Sequence, residues 1–219
     1  LRENSVSGWG AAPRRRKQNG CKMRAGFIAL SLSAALLAGC GGTKVKQTFD
    51  LSSAAAGAGA EVKAPPSAAQ IMVNNPGALR DLDSQNIVIR GGDGSIAYLQ
   101  GAQWTDHLTN MVQARLIQAL EDSQRFGGVG SPRDGMNATY QLITGLRAFG
   151  VDIDAEGKFA NVEISAKIMD SHTGQIRRTH IFSAKYRVNG SSNGDYAVAL
   201  DSAFATVLQE IVRWTAQSL

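Results

Sequence analysis

The sequence has little of what covalent and metal chemistry most often uses. Its 219 residues include two cysteines, Cys21 and Cys40, and three histidines, His107, His172 and His180. Two cysteines cannot build a disulfide framework or a four-thiolate zinc site. The histidines show no HxxxH spacing and fall on a helix, a turn and a strand, so a converging metal site is not expected. The glycine cluster Gly91-Gly92-Asp93-Gly94 has neither the Walker nor the dinucleotide spacing, which argues against a phosphate loop. Ala25–Leu37, uncharged and rich in apolar residues, is shorter than the ~20 residues a membrane-spanning helix needs. A basic footprint for nucleic acid is also missing, despite a net charge of +5. Leu1–Gly39 holds seven cations and one acid; taking these from totals of 23 and 18 leaves 16 against 17, a net of −1 from Cys40 onward. With 43% apolar and 19% charged residues, a packed core is expected and global disorder is not.

The N-terminal segment reads as an address. Met23-Arg24 is a short basic start, Ala25–Leu37 an apolar run, and Leu37-Ala38-Gly39-Cys40 a small-residue end. That order is the order of a secretory signal. Leu37, Ala38, Gly39 and Cys40 resemble the lipobox of bacterial lipoproteins. The resemblance implies cleavage before Cys40 and a diacylglyceryl thioether on its sulfur, with an N-acyl chain; no other cofactor is expected. The plainer alternative is an ordinary signal peptide with a chance cysteine. A Cys21–Cys40 disulfide is weaker, because cleavage would separate the two. Residues 1–22 carry Arg14-Arg15-Arg16-Lys17 without apolar period and read as an over-extended start or a long basic leader. Residues 23–39 are the signal. Two or three acyl chains make attachment effectively permanent, since each buried CH₂ adds ~0.8 kcal/mol.

Residues 40–67 read as a lipidated tether. Gly41–Lys46 is polar, Gln47–Leu51 a short first strand, and Ser52–Ser67 an Ala/Gly/Pro-rich loop. Residues 68–219 carry the pattern of an α+β domain. Ala69–Val73 reads as a strand and Ala78–Leu82 as a helical turn. Asn86–Arg90 and Ser95–Leu99 form a hairpin around the glycines. Trp104–Asp122 is amphipathic, with Trp104, Leu108, Met111, Val112, Leu116, Ala119 and Leu120 on one face and Thr105 or Asp106 as its cap. Gly127–Gly135 is a loop. Ala138–Phe149, Phe159–Met169 and Gln175–Val188 alternate apolar and polar residues, as an antiparallel meander with one wet face does. Asp195–Ser218 is a second long helix. These elements predict a two-layer sandwich, a mostly antiparallel or mixed sheet with two helices on one face.

Candidate chemistry is thin. Asp152, Asp154 and Glu156 resemble a carboxylate cluster but fit a solvated hairpin tip better. No serine is expected to act as a nucleophile; Gly94-Ser95 sits at a hairpin edge. Arg177-Arg178 beside His180 would attract acidic headgroups or simply solvate a strand face. Tyr98, Trp104 and Phe126 are candidates for a lipid or partner groove, with core packing as the alternative. No catalytic residue is expected, and the chain is read as a non-enzyme.

The run Asn86–Arg90, then Ile96-Ala97-Tyr98, then Trp104 and the helix through Leu120 resembles the ABC-type transport auxiliary lipoproteins. The likeness continues through the Asp170–Gly174 turn and the final helix. It implies an outer-membrane lipoprotein facing the periplasm. Its implied partners are an MCE-domain periplasmic protein, an ABC permease and ATPase system, outer-membrane lipid, and further copies in a homo-oligomer, with no nucleic acid. Gly41, after the lipidated cysteine, fits outer-membrane sorting. The task implied is docking a lipid-transport machine at the outer membrane. The alternatives are a structural envelope-integrity or outer-membrane assembly lipoprotein, and, more remotely, a periplasmic hydrolase.

Overall fold

The longest strands grow from the clearest alternation. β7 (Tyr140–Asp154), β8 (Gly157–Asp170) and β9 (Ile176–Arg187) form an antiparallel meander. On β8 the even positions Val162, Ile164, Ala166 and Ile168 are buried, as alternation requires when one sheet face is covered. The computed structural model describes residues 45–51 and 65–219, all within one compact unit, Lys44–Leu219. Cys40, the proposed lipobox, the signal and residues 52–64 lie outside the described residues.

The meander is only one side of the sheet. Along its other edge β7 takes two parallel partners end to end. β2 (Gln70–Val73) pairs with its start, and β3 (Val88–Gly91) pairs with Gly150–Ile153. An isolated parallel bridge, Gly77 to Gly145, links the two. β6 (Gly128–Gly130) adds in parallel to β2, and β4 (Ile96–Tyr98) adds antiparallel to β3. The sheet is therefore mixed. Gly150 lets β3 close in, because a Cβ there would meet the Val88 carbonyl oxygen at 2.7 Å. In the β3–β4 turn only Gly94 has a positive φ, 83°, so it alone supplies the left-handed step.

Both long helices cover one face. α2 (Asn193–Ser218) packs along β8 and β9; α1 (Leu108–Asp122) packs on β2 and β6 and against α2. The expected apolar stripes hold: Leu108, Met111, Val112, Leu116, Ala119 and Leu120 are buried on α1, and Leu200, Phe204, Val207, Leu208 and Ile211 on α2. At the start of α2, Ser192 and Asp195 form a reciprocal capping box.

Several expectations need correction. Trp104 is not on a helix. It ends β5 (Ala102–Trp104), which pairs in parallel with β1 (Gln47–Phe49), and α1 begins four residues later. The α1 cap is His107, with no side-chain cap bond, rather than Thr105 or Asp106. Gly127–Gly135 holds β6 and a 3-10 turn, Pro132–Asp134, stapled by the Ser131–Asp134 capping box. In β7 a bulge between Leu146 and Ala148 inserts Arg147 and reverses the phase. Phe149 and Val151 therefore enter the core, and Ala148 turns away from it. The domain also starts earlier than residue 68. Leu51 is 0% exposed, and Asp50 Oδ2 accepts from Arg115 Nη2 at 2.7 Å, fastening the first strand to α1.

Candidate docking surface

The three aromatic groove candidates separate. Trp104 is 1% exposed and meets Phe149 edge to face, ring centres 6.0 Å apart, with Phe149 in turn 5.6 Å from Phe204. It is core, because the burial of so large a ring is worth more there than at a rim. Phe126 is partly buried against the same core. Tyr98 is exposed on β4 beside exposed Ile96.

The histidines do not converge. His107 Nδ1 lies 3.5 Å from Asp83 Oδ1 at the start of α1. His172 sits in the β8–β9 turn, where its backbone N–H donates to Asp170. His180 meets Phe182 edge-on and lies tilted against Trp214, ring centres 4.6 and 6.3 Å apart. Among the described residues no three His, Cys, Asp or Glu side chains gather as a metal site would need.

One serine spacing escapes the sequence reading. Gly190-Ser191-Ser192-Asn193-Gly194 has the spacing of a nucleophile elbow and lies between a strand and a helix. Its backbone is not strained, with Ser192 at φ −77°, and its hydroxyl donates to Asp195 Oδ2 at 2.7 Å while accepting from the Asp195 N–H. The Ser192 hydroxyl and backbone N–H, both donating to the carboxylate, hold Asp195 below the usual carboxylate range. The group is a helix cap.

The carboxylates at the β7–β8 tip are likewise structural. Asp152 accepts from Asn161 at 2.9 Å, and Asp154 accepts from the backbone of Glu156 and Gly157. Asp152 and Asp154 help line a cleft of about 330 Å³ with Gly91, Gly92 and Gly94. Arg90 also lines the cleft but is paired with Asp81 at 3.4 Å, so the two carboxylates in the wall disfavour phosphate there.

The surface left over is β9. Among the described residues it pairs only with β8, so its far side is an open edge there. Ile176, Ile181 and Tyr186 are exposed on it. Between Ile176 and Arg187 it carries Arg177, Arg178, His180, Lys185 and Arg187 and no acid. Arg177 is committed to Asp170 at 2.7 Å, which with the Thr173 and His172 N–H groups lowers the Asp170 carboxyl to about 2. Lys185 and Arg187 lie over the Phe159 ring at 4.5 and 4.9 Å. A cleft of about 210 Å³ runs beside the edge, lined by Tyr186, Val198, Ala199, Ser202 and Asp195 among others. Sequence reasoning found the cations but not the edge, because strand order is not written in alternation.

Known proteins bear on this geometry. The family model described as "ABC-type transport auxiliary lipoprotein component" matches residues 49–212. The uncharacterized protein bll6063 of Bradyrhizobium diazoefficiens is 28% identical over 112 residues, which are 51% of this chain and 30% of that relative's length. The chain thus matches under a third of that relative. Protein XCC0632 from Xanthomonas campestris, a solved structure, is 25% identical with a TM-score of 0.68, covering 71% of this chain and 88% of the other. The hypothetical protein CT253 from Chlamydia trachomatis shares the fold at 9% identity and a TM-score of 0.51, covering 68% and 96%.

Proposed function

This chain belongs to the ABC-type transport auxiliary lipoprotein family, and on that premise we propose that it is a lipid-anchored, non-catalytic docking component of an intermembrane transport system. The anchor is Cys40, acylated after cleavage of the signal. The membrane is the outer one, and the domain faces the periplasm. The partners are an MCE-domain protein and its ABC permease and ATPase, which together move lipid or another hydrophobic solute. Copies of the chain assemble around that conduit as a homo-oligomer.

One observation carries the reading beyond the family. Leu51 is fully buried and β1 is paired with β5, so the folded domain begins within a few residues of the anchor. Only Gly41–Lys46 separates Cys40 from β1. Six residues extend to roughly 20 Å at most, at ~3.3–3.6 Å each. A domain on so short a leash stays at the membrane surface, where a fixed berth is useful and a long-range shuttle is not supported. The transport energy is supplied by the ATPase partner, and this domain contributes position.

Cys40→Ser tests the anchor. Acyl labelling and membrane retention should both be lost, while the domain keeps its circular dichroism spectrum and melting point. Crosslinked capture from native membranes tests the partnership and should recover an MCE-domain protein or an ABC permease. Recovery of barrel-assembly or peptidoglycan partners instead would move the protein to envelope structure.

A further inference from the structure

The β9 edge has an orientation that can be read from one hydrogen bond. The Val188 N–H donates to the Lys158 carbonyl at 2.9 Å. In an antiparallel ladder, residues in step with that pair turn both backbone groups toward the neighbouring strand. The paired residues are thus Tyr186, Ala184, Phe182 and His180, opposite Ala160, Val162, Ile164 and Ala166. The intervening Arg187, Lys185, Ser183, Ile181 and Thr179 turn N–H and C=O outward, where no strand among the described residues meets them. Their side chains lie on the sheet face that is helix-free among the described residues, because the buried β8 residues and their β9 partners occupy the other.

Edges with unpaired backbone groups invite another strand. What this one selects is set by its flanks. On the helix-free face, Lys185 and Arg187 stand two residues apart. On the helix side, the cleft between Tyr186 and α2 offers exposed Val198 and the small residues Ala199 and Ser202. No ion pair among the described residues neutralises Arg178, Lys185 or Arg187. Asp195, the acid in the cleft wall, has its carboxylate bound to the Ser192 N–H and hydroxyl. Glu163, on the open face, is held by Arg147 at 2.9 Å.

We propose that the β9 edge, over Thr179–Arg187, receives an extended acidic segment of a partner protein as an added strand, with acidic side chains toward Lys185 and Arg187 and apolar ones over the Tyr186–Val198 cleft. Main-chain bonds supply affinity, and the two flanks supply register and specificity. A second copy joined through its own β9 would set like charges together at the same edge, a destabilising arrangement. The inference deepens the docking reading by naming what one surface takes. It needs neither the anchor nor the transport partners for its test.

The test uses the full-length chain and a fluorescein-labelled 12-residue peptide alternating Glu and Val, with an alternating Lys and Val peptide as comparator. Anisotropy should show binding of the acidic peptide alone, weakening as salt is raised. Lys185→Glu/Arg187→Glu, both on the surface, should weaken it by at least about tenfold. Ser183→Pro removes an outward N–H without touching a β8 bond and should weaken it as well. Residue-resolved hydrogen exchange gives the readout that loose charge attraction would not move. Amides of Ile181, Ser183 and Lys185 should gain protection on binding, while those of Phe182 and Ala184 stay as they were. Absence of binding, equal binding of the lysine peptide, or binding without that alternating protection would overturn the proposal. So would the same protection produced by phosphatidylglycerol vesicles in place of the peptide, or by concentration alone with a doubled sedimenting mass. Failure of any of these leaves the anchor and capture experiments standing, so the two readings fail separately.

Discussion

Ile164 and Ile181 lie on neighbouring strands of one sheet, yet the first, on the face that α2 covers, is 0% exposed and the second, on the opposite face of the edge strand, is 49% exposed. β8 is covered on its inner face by α2 and flanked on both edges, and its inward residues vanish from solvent. β9 alternates with the same regularity, but of Ile176, His180, Phe182, Ala184 and Tyr186 only Phe182 is buried. Alternation therefore reports that a segment is a strand, and position in the sheet decides what the strand buries. The edge is where this protein keeps exposed apolar side chains and unneutralised cations together.

Truncating both isoleucines should separate the two strands most widely. Ile164→Ala should cost about 2–5 kcal/mol, the transfer and cavity cost of a core aliphatic side chain. Ile181→Ala should stay within about 0.5 kcal/mol, as surface changes do. Urea denaturation with a common m-value measures both; equal losses would mean that the edge is buried in solution.

Ser192→Ala probes the helix that packs on both strands. Loss of the α2 cap should cost about 1 kcal/mol, intermediate between core and edge, and should leave no hydrolytic function to lose. Recovery of most of that stability with Ser192→Asp would confirm the capping role.

The turn joining β8 to β9 gives a pH-dependent effect. Asp170 is drawn from its ordinary value of 3.8 to about 2 by Arg177 and the turn amides. A lowered carboxylate binds fewer protons folded than unfolded, so it stabilises the protein fully above its ordinary value. That contribution fades as pH falls from near 4 to near 2. The stability gap between the wild type and Asp170→Asn should be constant at neutral pH and close across that interval. A gap that persists at pH 2 would show that the side chain acts by packing rather than charge.

Legibility followed the range of the interactions. The α1 and α2 faces were readable because 3.6-residue spacing is enforced inside each helix, and Leu108, Leu116, Phe204 and Ile211 are buried as that spacing requires. The β7–β8–β9 meander was readable because short turns leave few alternatives. The parallel pairing of β2, β3 and β6 was not, since it joins residues such as Ile71 and Tyr140 across a long stretch of chain. Trp104 misled for a related reason. Its spacing to Leu108 fits a helix, but pairing of β5 with β1 claimed it first. The Arg147 bulge was invisible because one inserted residue reverses a strand's faces without altering its composition.

The two amphipathic helices, the three alternating strands and the near-neutral charge after Gly39 could be read along the chain, because each rests on residue type or on spacing between near neighbours. Long-range contacts gave β7 two partners along one edge, sealed Leu51 in the core, and left the cations of β9 at a margin that no other described strand covers. Those outcomes depend on which distant segments exclude water from one another, and that competition is settled only when the whole chain packs.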